Sequence, residues 1–121
     1  VDDAELVRLY RSASLLISAS LAEGWGMTIT EAAACGTPAV ATDVVGHRGA
    51  VVDGVTGILV PTPERLGPAI GALLRDRARL EELGRAAAQR AATMTWDRTA
   101  ADNLEVLVGA ARRRAASRQA M

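Results

Sequence analysis

The strongest constraint on the fold is the punctuation between residues 15 and 42. Leu15, Leu16 and Ile17 form a short apolar run. Gly24 and Gly26 follow it, an Ala-rich segment leads to Cys35, and Gly36 and Pro38 precede a second short run from Val40 to Thr42. Glycine frees the backbone for turns and close approach. The Ala-rich segment favours helix, with Thr28 read as its N-cap and Gly36 as its stop. The order is therefore strand, glycine turn, helix, strand. Leu6, Leu9, Tyr10 and Ala13 add a helical face ahead of it. A short helix near Val51, a turn at Asp53-Gly54 and a strand at Ile58 continue the alternation. Such alternation argues for a parallel sheet covered by helices, with a ligand crevice at the carboxyl ends of the strands.

From Pro63 onward the pattern is helical. Leu66, Ile70, Leu73 and Leu74 form one apolar stripe, and Leu80, Leu83 and Ala87 form another. Met94-Thr95 marks a break, with Thr95 as a cap and Asp97 in the following first turn. Leu104, Val106, Leu107 and Val108 are expected to line the final helix as core. Residues 112–121 are expected to fray. Arg112, Arg113, Arg114 and Arg118 read as a solvated helix end whose cations match the dipole, in preference to a lipid-binding patch.

Two carboxylates, Glu23 and Glu31, lie eight positions apart on either side of this glycine turn. A single helix would separate them by roughly 12 Å along its axis, and the glycines oppose one. A loop followed by a helix start is the better reading. Unpaired N–H groups at such a start can hold an anion. Ionised carboxylates only accept hydrogen bonds, so sugar hydroxyls suit them. On spacing alone, two surface glutamates beside a turn is the preferred reading, because spaced carboxylates are common in soluble chains.

The residue order around the pair argues against that bland reading. Ser20 through Pro38, with Glu23-Gly-Trp-Gly-Met-Thr-Ile-Thr-Glu31 and the Ala-Cys-Gly-Thr-Pro ending, resembles the paired-glutamate motif of retaining nucleotide-sugar glycosyltransferases. These are the enzymes with two facing Rossmann-like domains (group 1, family 4), which include sucrose, glycogen and mannosyl transferases. Leu6, Leu9 and Tyr10, the Gly46-His-Arg-Gly49 loop, Val51–Val60 and Thr95-Trp96-Asp97 extend the resemblance. It implies an α/β fold: a partial Rossmann-like three-layer domain with a short parallel sheet and a helical carboxyl-terminal half. Residues 1–121 would be one truncated donor-binding domain.

The resemblance further implies that Glu23 contacts the transferred sugar and Glu31 the ribose. It assigns sugar and diphosphate contacts to Gly24, Trp25, Gly26, Met27 and Thr28. The donor would be a nucleoside-diphosphate sugar, bound without a metal. Donors aimed at the departing diphosphate would lower the barrier. Two departures stand out. Gly49 occupies a position where the family usually has an acidic residue, and Trp25 replaces the more frequent phenylalanine. Trp25 is expected to keep an aromatic face near the sugar. The family's cationic Arg and Lys turn and its acceptor-binding domain are expected to belong to a longer parent. The chain alone would then bind donor weakly and transfer nothing. Alternatives are a non-catalytic nucleotide-sugar module, or a structural domain that self-associates through an exposed sheet edge.

Composition limits other classes. With 14 Lys+Arg against 14 Asp+Glu, the chain lacks the basic excess of a nucleic-acid binder. No apolar run approaches the roughly 20 residues of a membrane span, and no secretory signal is recognisable, so the expected location is cytoplasmic. The lone Cys35 reads as a small packed residue. The lone His47, without metal-spaced partners, reads as a surface loop residue.

Overall fold

The computed structural model describes residues 1–119. Helix α1 (Asp3–Ser12) is capped by Asp2, whose carboxylate accepts from the Glu5 N–H at 2.7 Å. Strand β1 (Leu16–Ser18) leads to α2 (Met27–Ala34), β2 (Ala39–Thr42), α3 (Val45–Ala50) and β3 (Gly57–Val60). A 3-10 turn (Pro63–Arg65) precedes α4 (Leu66–Arg75), α5 (Arg77–Ala91) and α6 (Trp96–Gln119).

The three strands are parallel in the order β1-β2-β3. Alternate residues of β2 feed two different cores, as a pleated strand must. Ala39 and Ala41 pack with Ile29 of α2 and with Ala50 and Val51 at the end of α3. Val40 packs with Val60, Leu66, Leu73 and Leu83, bringing in α4 and α5. The sheet is thus covered on both faces, giving the three-layer α/β arrangement expected. Leu66, Leu73, Leu83 and Ala87 are buried as the stripes require, whereas Leu74 is exposed.

The glycine punctuation has physical causes. Gly36 and Gly54 adopt φ of +83° and +71°, a left-handed conformation that costs other residues a Cβ clash. Gly84 continues α5 instead of stopping it. A Cβ there would lie 2.4 Å from the Gly36 carbonyl oxygen, so glycine lets α5 approach the end of α2.

Four sequence expectations change. Thr28 is not the cap of α2: the helix begins at Met27, and its N-cap is Gly26, with no side-chain capping bond. Leu9 and Ala13 of α1 are exposed, so only Leu6 and Tyr10 turn inward. The apolar residues of α6 are not core, because Leu104, Val106, Leu107 and Val108 all lie exposed. Their spacing supports a helix, but no described element covers it. Residues 112–119 continue α6 as helix rather than forming a frayed end, consistent with the strong helix preference of Ala and Arg. Ala120 and Met121, also assigned to that end, lie outside the described residues. Thr95 does cap α6, its hydroxyl accepting from the Arg98 N–H at 3.2 Å. No helix of the described residues is long and apolar enough to cross a membrane.

Leu83 and Leu107 separate core from surface. Leu83→Ala should cost about 3 kcal/mol in urea unfolding, as expected for a fully buried leucine. Leu107→Ala, at 66% exposure, should stay within about 0.5 kcal/mol.

Candidate functional site

Parallel strands deliver their following loops to one edge of the sheet. The segment after β1 carries Glu23, Gly24, Trp25 and Gly26, and the turn after β2 enters α3. These two segments meet at Gly46. A Cβ on Gly46 would lie 2.3 Å from the Glu23 carbonyl oxygen and 2.9 Å from the Gly24 carbonyl carbon. Only glycine permits this backbone contact. The Gly26 N–H donates to the Gly46 carbonyl at 3.4 Å, which ties the loop to α3.

From this seat the loop enters α2. The Met27 N–H turns back to the Trp25 carbonyl at 2.9 Å, and the Thr30 hydroxyl donates to the Gly26 and Met27 carbonyls. The first turn has no side-chain cap. Met27 and Thr28 are exposed on that turn.

The two glutamates are exposed and have different neighbours. Glu23 accepts from the Ser20 hydroxyl at 3.4 Å. It lines a cavity of about 300 Å³ with Leu21, Ala22, Asp43, Val44, Val45 and Arg48, at the ends of β1 and β2. Glu31, in the second turn of α2, accepts from the Tyr10 hydroxyl at 2.9 Å. Burial first, then that bond and the Glu31 charge, raise the Tyr10 pKa above its usual 10.0. The cavity beside Glu23 does not include Glu31.

Arg48 gives this cavity a cation that the sequence reading did not identify. It grips Asp43 through Nε at 2.6 Å and Nη2 at 3.1 Å. This pairing holds the Asp43 carboxyl below the usual carboxylate range. His47 corrects the sequence expectation: instead of a surface loop residue it is 1% exposed and belongs to α3. Its neighbours on β1 and β2 are hydrogen-bonding groups, which is why a polar ring is stable there.

Trp25 packs on α3. Its indole lies against Gly49, where an added Cβ would come within 2.4 Å of the ring. It lines a second cavity, of about 630 Å³, with Thr30, Arg90, Trp96 and Arg98. It is absent from the lining of the Glu23 cavity. The two departures noted in the sequence are therefore one steric event. A tryptophan at 25 occupies the space that a side chain at 49 would need.

Residues 1–90 match the family model "Glycosyl transferases group 1". The chain belongs to this family. It is 44% identical over 103 residues to the D-inositol 3-phosphate glycosyltransferase of Paenarthrobacter aurescens (strain TC1), covering 84% of this chain and 25% of that protein. It is 45% identical over 102 residues to the protein of the same name from Nocardia farcinica (strain IFM 10152), covering 83% and 23%. The chain thus spans about a quarter of the length of these curated relatives. Among solved structures, sucrose-phosphate synthase from Thermosynechococcus elongatus aligns with a TM-score of 0.78 at 32% identity, covering 92% of this chain and 29% of that one. Anabaena Alr3699/HepE in complex with UDP aligns at 0.71 and 25% identity, covering 82% and 29%.

The Tyr10–Glu31 contact has a spectroscopic test, because Tyr10 is the only tyrosine. Glu31→Gln should lower the midpoint of tyrosinate absorbance towards the usual value while leaving the part due to burial. Since the folded pKa is raised, the Tyr10 contribution to stability is present below pH 10.0 and lost as pH rises through the folded value. An unmoved midpoint would contradict the contact.

Proposed function

We propose that this domain holds a nucleoside-diphosphate sugar for retaining glycosyl transfer, with the acceptor-binding domain supplied by a longer parent. Glu23 receives hydroxyls of the transferred sugar and Glu31 those of the ribose. Backbone groups from Gly24 to Thr28 contact the sugar and diphosphate. The supporting observation is the seat of the Glu23–Gly26 loop on Gly46, which feeds an uncapped helix start at the carboxyl edge of the sheet. The UDP complex of the Alr3699/HepE relative lends further support.

Bond cleavage leaves negative charge on the nucleoside diphosphate. Hydrogen-bond donors held at the helix start would stabilise that charge without reorganising. A metal ion is not required in this reading. Glu23 and Glu31 serve as binding and positioning groups, and neither is assigned as a covalent nucleophile. Trp25, which packs against Gly49 and is still half-exposed, presents its free aromatic face to the donor.

The assignment separates under titration of the purified chain with UDP and UDP-glucose, followed by NMR. Glu31→Ala should weaken both ligands by about tenfold, as loss of charge-assisted hydrogen bonds predicts. Glu23→Ala should weaken only UDP-glucose, because only that ligand carries the sugar. The chain alone should bind weakly and transfer no sugar. Equal effects of both variants on UDP, or sugar transfer by the chain itself, would overturn the proposal.

A further inference from the structure

Tyr10 sits in the last turn of α1, and both its backbone and its ring are tied to the α2 segment. The Tyr10 carbonyl accepts from the Thr37 hydroxyl at 2.6 Å, and Thr37 is buried where the chain leaves α2. The phenol hydroxyl donates to Glu31 Oε2 at 2.9 Å, in the second turn of that helix. An ionised carboxylate only accepts, so the single phenol proton lies on this bond.

The two partners differ in stiffness. A tyrosine carries a rigid ring on a short stem and gives up little freedom when it is fixed. An exposed glutamate is longer and freer, and a ligand that fixes it must pay for the lost rotamers. Here the tyrosine is half-buried and its backbone is anchored by Thr37, while Glu31 is exposed. The stiff partner therefore holds the free one before any ligand arrives. It does not use the carboxylate up. A carboxylate offers about four acceptor sites, and one phenol proton takes one of them. The remaining sites stay open to ligand hydroxyls.

We infer that Tyr10 is a positioning residue for Glu31: its hydroxyl fixes the carboxylate in the orientation that receives the ribose of the donor. A carboxylate already oriented costs less to bind, which is the general benefit of pre-organisation. The inference rests on the ribose-contacting role proposed for Glu31. The hold on the carboxylate exists without ligand and is measurable without it.

The test is Tyr10→Phe, which keeps the ring and the backbone bond from Thr37 and deletes the hydroxyl alone. In the ligand-free chain, carbon NMR of the glutamate carboxylates reads the hold. The Glu31 signal, identified by its loss in Glu31→Ala, should shift in Tyr10→Phe, and the Glu23 signal should stay. Titration with UDP and UDP-glucose then reads the role. Tyr10→Phe should weaken both ligands by the same factor, about fivefold, as loss of one hydrogen bond predicts. In a Glu31→Ala background it should weaken neither further, whereas a hydroxyl that merely supported the fold would act there too. An unmoved Glu31 signal, unchanged or tighter binding of UDP by Tyr10→Phe, or equal weakening with and without Glu31 would overturn the inference. UDP affinity that does not respond to Glu31→Ala, or no binding of UDP by the unsubstituted chain, would instead overturn the ribose role proposed for Glu31, and the carboxylate signal would still decide whether Tyr10 holds it.

Discussion

The site depends on one close approach: the backbone of Glu23 and Gly24 lies directly on Gly46. Two neighbouring parallel strands bring their following loops to the same edge, and this contact fixes one loop on the other. A Cβ at 46 would overlap a peptide group instead of a flexible side chain, so adjustment would have to move backbone. The consequences run in order. The loop is seated, α2 begins at Met27 without a side-chain cap, and Glu23 faces the cavity that also holds Arg48.

Much of this was legible because glycine and proline act locally. Gly36 and Gly54 mark turns in the sequence and have positive φ in the structure. The short apolar runs became parallel strands, since their spacing leaves room only for helical crossovers. The site motif was legible for a related reason: loop, helix start and both glutamates fall within one stretch of chain. The placement of Glu31 beside Tyr10 was not, because that bond spans 21 positions.

What escaped the sequence is long-range. A lone histidine carries no periodicity, so nothing in the sequence indicated that His47 would be buried among polar partners on two strands. Helix α6 has a helical pattern, but pattern alone does not say whether another element covers it. Gly49 and Trp25 looked like two independent departures from the family. They are coupled, since the indole lies where a side chain at 49 would stand. Trp25 also lines the cavity beside Arg90 and Trp96.

Replacing Gly46 with alanine tests the central contact most directly, with backbone amide NMR as the readout. Resonances from Glu23 to Met27 should shift strongly while those around Leu66 and Leu73 keep their positions, and UDP should no longer perturb the loop. Unchanged loop resonances, or undiminished perturbation by UDP, would show that the loop does not depend on a seat free of a side chain.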